Sequence, residues 1–135
     1  DILKDYYFKN ESAYVRTKNN DFGESLPLNP PFTSTFSIGV DKDDYWAKAQ
    51  YNITSKQTHI APSFGETETA GYETLDLKMG ATFLKNITFG VACLNVFDIT
   101  YINHLNFSYR NQPNLNMSPI TEPGRNFTAF LQYKF

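Results

Sequence analysis

Block after block of this chain alternates apolar and polar residues with a period of two. That pattern commits it to extended strands, because alternate side chains of a strand point to opposite faces and no helix reproduces the period. Phe127, Ala129, Leu131, Tyr133 and Phe135 alternate with Thr128, Phe130, Gln132 and Lys134. Leu75, Leu77, Met79, Ala81 and Phe83 alternate with Thr74, Asp76, Lys78, Gly80 and Thr82. Tyr45, Ala47, Ala49, Tyr51 and Ile53 alternate with Trp46, Lys48, Gln50, Asn52 and Thr54. Phe32, Phe36, Ile38 and Val40 alternate with Thr33, Thr35, Ser37 and Gly39, and Ile87, Phe89, Val91 and Cys93 with Thr88, Gly90, Ala92 and Leu94. A weaker strand covers Tyr6 to Thr17, where Asn10 and Glu11 blur the pattern. Six strands of about 9–14 residues are predicted, longer than the usual 5–6.

The connections alternate as well. Segments 18–31, 58–69 and 102–123 are long and polar, whereas 41–43 and 85–86 are tight. This is the rhythm of an all-β, antiparallel up-and-down meander with one plain end and one elaborate end. The 135 residues suit one domain. With 12 Lys plus Arg against 14 Asp plus Glu there is no basic surplus to neutralise phosphates, so no nucleic-acid partner is expected. One Cys and two His exclude an internal disulfide and argue against a zinc cluster, and no cofactor is expected. No apolar run approaches the roughly 20 residues of a membrane helix, but that leaves a membrane β-barrel open.

Alternation alone does not say which way the apolar face turns. A soluble barrel would line a ligand pocket with it, and a membrane barrel would turn it to lipid. Three features favour lipid. The polar face carries Gly39, Lys48, Asp76, Lys78, Gly80, Gly90 and Lys134, which a wet lumen tolerates. Aromatic residues sit at strand ends on the apolar face, at Tyr45, Phe83, Phe97, Tyr133 and Phe135, where interfacial girdles form. Strands of about ten residues cross a bilayer at a tilt of about 45°. Closure takes about eight strands, so six imply part of a larger barrel. The edge strands, Tyr6–Thr17 and Phe127–Phe135, are then expected to lack partners here.

A series of motifs runs in order: Pro27-Leu28-Asn29-Pro30-Pro31-Phe32, Gly71-Tyr72-Glu73-Thr74-Leu75-Asp76-Leu77, Leu94-Asn95-Val96-Phe97-Asp98-Ile99-Thr100-Tyr101, Glu122-Pro123-Gly124-Arg125-Asn126-Phe127, and the terminal Leu131-Gln132-Tyr133-Lys134-Phe135. Over residues 12–135 this resembles the C-terminal end of the TonB-dependent outer-membrane receptors. The resemblance implies that residues 1–135 are the last strands of a bacterial outer-membrane barrel, with plug and remaining strands outside this sequence. It implies uptake of a scarce ligand such as an iron siderophore, haem, cobalamin or another metal chelate. The implied partners are the lipid bilayer, the rest of the barrel and its plug, TonB through that plug, and the barrel assembly machinery. The long segments become extracellular loops and the tight turns periplasmic. A soluble β-barrel that binds a small ligand is the alternative, and an outer-membrane enzyme or adhesin a third reading without a catalytic set to support it.

Within that frame Leu131, Tyr133 and Phe135 are the expected assembly signal. Asn95, Asp98 and Arg125 lie at the long-loop ends of neighbouring strands and are expected to pin loop 102–123, Arg125 by a forked pair to Asp98. Gly124 is expected to supply a backbone angle that the turn demands. Asp76 and Lys78, two residues apart on one face, are expected to pair, and Trp46, Lys48 and Gln50 share that face. His59, His104, Phe107, Tyr109 and Met117 are the candidates for ligand contact in the loops. Six Asn-x-Ser/Thr triplets, several of them mid-strand, read as by-products of polar strand faces, because a glycan there would block pairing.

Overall fold

A computed structural model describes residues 5–106 and 120–135. Six strands follow in order: β1 Tyr6–Ala13, β2 Thr33–Asp41, β3 Tyr45–Thr54, β4 Tyr72–Phe83, β5 Ile87–Leu94 and β6 Asn126–Tyr133. They form one sheet in the order β1-β2-β3-β4-β5-β6, each strand antiparallel to the next. The fold is therefore an all-β up-and-down meander, as the alternation and loop rhythm imply. Within the described residues β1 and β6 are its two edges.

Several boundaries differ from expectation. β1 stops at Ala13 rather than Thr17. Beyond it, Thr17 Oγ1 accepts from the Leu26 N–H at 3.1 Å and donates to Asn29 Oδ1 at 3.3 Å, so the side chain organises a loop where a ladder was expected. β6 ends at Tyr133, because β5 begins at Ile87 and only the Lys134 N–H bond to the Asn86 carbonyl, 2.9 Å, extends past it. The strands run from 8 to 12 residues, shorter than predicted at both ends of the range.

Register aligns the two faces across the whole sheet. One row reads Phe8, Ile38, Ala49, Leu77, Cys93 and Phe127, and the next Tyr6, Val40, Ala47, Met79, Val91 and Ala129. Nearer the tight turns Tyr45, Ala81, Phe89 and Leu131 line up, followed by Phe83, Ile87 and Tyr133. These apolar side chains do not form a core: Phe8 is 70% exposed, Leu131 73% and Phe127 75%. Ala61 and Pro31, both in loops, are the buried apolar side chains among the described residues. A sheet that buries so little and exposes a continuous apolar face needs an apolar medium or a partner on that side.

Towards the long loops the same face turns polar. Asn10 Nδ2 donates to Ser34 Oγ at 3.0 Å, Ser12 and Ser34 share a hydroxyl bond of 2.9 Å, and the Tyr51 hydroxyl donates to Glu73. Asn10, which disturbs the β1 alternation, belongs to this polar border. The opposite face carries Lys9, Ser37, Gln50 and Asp76 in one row and Tyr7, Gly39, Lys48, Lys78, Ala92 and Thr128 in the next.

Candidate functional site

The loop ends of the strands fold over the polar face. Thr33, Thr35, Asn52, Thr74, Asp76 and Asn126 form the floor of a cleft of about 670 Å³, and Asn95, Tyr101, Glu122 and Pro123 form its rim. Strand pairing places the floor residues side by side, and short polar side chains then bond across the ladder. Thr35 Oγ1 donates to Asn52 Oδ1 at 3.1 Å, as does Gln50 Nε2, while Asn52 Nδ2 donates to Thr74 Oγ1 at 3.1 Å. Asp76 does not pair with Lys78. Its carboxylate accepts from the Asn95 N–H at 2.9 Å and from Asn52 Nδ2 at 3.5 Å, bonds that turn it towards the rim.

Asn95, Asp98 and Arg125 come together at that rim. Asn95 and Asp98 both adopt left-handed backbone angles, φ 50° and 56°, which short polar side chains tolerate through local hydrogen bonds. Asn95 is buried. Its Oδ1 accepts from the Ile99 N–H at 3.0 Å and its Nδ2 donates to the Ile99 carbonyl at 2.8 Å, closing the turn on itself. Asp98 Oδ1 accepts from the backbone N–H of Arg125 at 2.8 Å, and Arg125 Nε donates to the Val96 carbonyl at 2.9 Å. The forked guanidinium–carboxylate pair is thus replaced by two bonds that use one backbone group each. Gly124 is also corrected. Its φ is not positive; a Cβ there would come within 2.6 Å of Asp98 Oδ1, so the residue is small to admit the carboxylate.

Loops 18–31 and 58–69 are stitched together by two carboxylates that sequence reasoning missed. Glu66 accepts from the Leu28 N–H and, at 2.8 Å, from the Ala61 N–H. Glu24 accepts from the Ser63 hydroxyl and, at 3.2 Å, from its N–H. Gln57, 2% exposed, donates to the Asn29 carbonyl at 2.6 Å, and its backbone bridges Thr69 to close the base of the second loop. No periodic signal marks Glu24 or Glu66, since their roles arise only when separate loops meet.

The two histidines do not converge. His104 is 8% exposed, with Nδ1 3.1 Å from Thr69 Oγ1 and Nε2 4.0 Å from Glu66 Oε1, so loop packing surrounds it. His59 lies elsewhere, beside Arg16, Lys18 and Glu24. No group of three or more His, Cys, Asp or Glu is placed to hold a metal ion among the described residues. Phe107, Tyr109 and Met117 fall outside the described residues. Tyr101 stacks on Tyr72 with centroids 4.0 Å apart. Burial raises its hydroxyl pKa above the ordinary phenol value, helped by neighbouring Tyr72, Glu122 and Asp76.

Solved structures share this architecture. The copper transporter OprC superposes over 100% of the chain with a TM-score of 0.89 and 23% identity. The fold is that of a TonB-dependent receptor barrel. The siderophore receptor PirA from Acinetobacter baumannii matches 98% of the chain with a TM-score of 0.73 and 21% identity. A mutant of the ferric enterobactin receptor PfeA from Pseudomonas aeruginosa matches 99% with a TM-score of 0.72 and 18% identity. The chain spans about a fifth of each of these proteins: 22% of OprC and 20% of the other two. No protein-family profile matches the sequence, and no curated protein does.

Proposed function

We propose that this chain is the C-terminal wall of an outer-membrane TonB-dependent receptor that takes up a metal ion or metal chelate. The observation that carries the reading is the register. It places the exposed apolar set on one face of a sequential meander, and the polar cleft on the other. From Leu75 to Phe83 the apolar face of β4 extends about 27 Å at about 3.4 Å per residue, or roughly 20 Å along the membrane normal at the usual tilt. With terminal aromatic rings added, that height suits the hydrocarbon core of a bilayer. Nothing favours the soluble alternative, in which Phe8, Leu77 and Leu131 would have to line an interior shared with no loop.

Specific neighbours frame the substrate class. OprC is a copper transporter, PfeA a ferric enterobactin receptor and PirA a siderophore receptor. The cleft offers amides, hydroxyls and the carboxylates Asp76 and Glu122, with no nucleophile and base in reach of one another, so its chemistry is holding and passing a polar solute. Asn95, Asp98 and Arg125 pin the rim. Leu131, Tyr133 and Phe135 present the last strand to the assembly machinery. The plug, the contact with TonB and the rest of the barrel belong to the full-length protein.

Expression of the full-length gene tests this. The protein should fractionate with outer membranes, require detergent for extraction and migrate differently on gels before and after heating. Uptake of radiolabelled metal chelates should stop when TonB is deleted. A protein that stays soluble without detergent, or uptake that is indifferent to TonB, would overturn the reading.

A further inference from the structure

A second pocket adjoins the polar cleft. It holds about 710 Å³ at the long-loop ends of β3 and β4, beside residues 99–102. Ile53, Ala70, Ile99 and Ile102 line it, together with Tyr72 and Tyr101. Two charged residues border it, and both are engaged: Lys56 pairs with Glu68, and Glu73 accepts from the Tyr51 hydroxyl. Burial holds the Tyr101 phenol protonated, so that ring adds no charge. Among the described residues the pocket therefore offers apolar surface without a free charge. Its volume and lining are those of a small-molecule site. The pocket begins at Ile53 and Glu73, a row where the apolar face has already turned polar. It stands clear of the apolar band from Leu75 to Phe83, so lipid tails, which belong to that band, do not account for it.

Continuity with the cleft decides what does. Ile53, Thr54, Tyr72 and Tyr101 line both the pocket and the cleft. The stacked rings, 4.0 Å between centroids, form a wall common to the two. On one side stand the amides and hydroxyls of Asn52, Thr74 and Asn126, and on the other the side chains of Ile99 and Ile102. We infer that the pocket receives the apolar arm of the same molecule whose polar head sits in the cleft, so that the cargo is an amphipathic metal chelate. This rests on the uptake reading above and narrows it. The head is rich in oxygen and nitrogen and holds the metal. The arm is uncharged, either aromatic or branched alkyl. No Lys or Arg lines the cleft among the described residues, so an anionic head gains nothing there. A bare metal ion or an armless chelate leaves the isoleucines in water and forgoes their burial. A wholly apolar molecule strips water from the polar groups of the cleft without replacing it. Only a molecule with both parts satisfies both sides of the tyrosine wall.

Two ferric complexes separate arm from head. Ferric tris-acetohydroxamate and ferric tris-benzohydroxamate share one uncharged metal-holding head and differ only in carrying methyl or phenyl arms. Binding of each, labelled with radioactive iron, to the full-length protein in lipid nanodiscs is measured by equilibrium dialysis, with empty nanodiscs subtracted. The phenyl complex should bind at least about tenfold more tightly, the low end of what a single methylene decides in an apolar pocket. Ile99→Asp/Ile102→Asp should lower its affinity to that of the methyl complex. Ile102→Trp, which fills the pocket without adding a charge, should do the same. Equal affinities in the unmodified protein, a preference that survives both variants, or binding of neither complex would overturn the inference. Heat-modifiable gel migration is read on every sample. A protein that shows it and binds the two complexes equally loses the amphipathic cargo alone, and one that lacks it loses the barrel reading too.

Discussion

The Phe130 ring covers Gly90 on the adjacent strand, so closely that a Cβ on that glycine would come within 2.3 Å of it. The two residues are direct cross-strand partners. Trp46 covers its own partner, Gly80, in the same way, with a clearance of 2.7 Å for a Cβ, and Gly80 and Gly90 are partners of each other. One row of the polar face is thus Trp46, Gly80, Gly90 and Phe130, with large rings folded over two residues that lack side chains.

That packing makes Gly90 and Phe130 energetically coupled. Gly90→Val should destabilise the barrel by about 1–3 kcal/mol, the usual cost of overpacking, because the ring must leave. Phe130→Ala should cost less, about 0.2–1 kcal/mol, as loss of one cross-strand pair. In the Phe130→Ala background Gly90→Val should become nearly neutral. Denaturant unfolding of the full-length protein in vesicles, run as a double-mutant cycle, measures the coupling, and additive costs would contradict it.

The assignment of faces gives a sharper contrast. Met79 lies midway along the apolar stretch from Leu75 to Phe83 and is 53% exposed. Met79→Arg should cost about 2–4 kcal/mol in a bilayer, the penalty for a cation at the midplane on a lipid-facing site. Gln50→Arg, on the opposite face, should stay within about 1 kcal/mol, because the lumen solvates the charge. Refolding titrations into vesicles compare the two. Equal costs would remove the membrane assignment.

Which features sequence reading captures follows from their physical range. Strand existence and face are local, so Leu75, Leu77 and Met79 announce their side of the sheet through neighbours two residues away. Loop rhythm adds strand order, since a tight turn leaves no choice of partner. Asn10 looks like noise in β1 until register sets it against Ser34. The loop carboxylates are invisible for the same reason: Glu66 acquires its role from Leu28, 38 positions away. Arg125 meets Asp98 through its backbone N–H rather than its guanidinium, because which of the two reaches a carboxylate depends on turn geometry that the sequence does not carry. Lys48 and Lys78 sit on one face by parity, yet their direct opposition needs the hairpin register.

Glu66 offers a test of how the loops are held. Its carboxylate takes backbone N–H groups from both Leu28 and Ala61. Hydrogen bonds to a charged acceptor contribute about 1.5–3 kcal/mol. Glu66→Ala should therefore accelerate amide exchange at Leu28 and Ala61 by roughly ten- to a hundredfold. Exchange at β3 and β4 amides should not change, since the ladder is independent of the loops. Unaltered exchange at Leu28 would show that other contacts hold loop 18–31.

The tight turn between β4 and β5 runs through Leu84 and Lys85, both in the left-handed region, with φ 52° and 64°. The Asn86 N–H reaches back to the Phe83 carbonyl at 3.3 Å, closing a β-turn over Leu84 and Lys85 within the three residues, 84–86, that separate the paired Phe83 and Ile87. Positive φ at both central positions is the type I′ arrangement, whose handedness matches the twist of the flanking strands and which favours Asn followed by Gly. Leu84 and Lys85 are poor choices for it, since a Cβ in the left-handed region costs roughly 1–2 kcal/mol per residue. Leu84 also gains no packing in return, being 84% exposed. Leu84→Asn combined with Lys85→Gly should therefore stabilise the folded protein by about 1–2 kcal/mol without altering register. Denaturant midpoints of the full-length protein report the gain, and unchanged amide protection across Phe83 and Ile87 confirms the register. A lower midpoint would mean that Leu84 contributes through contact with the interfacial region of the membrane, outweighing the backbone strain it causes.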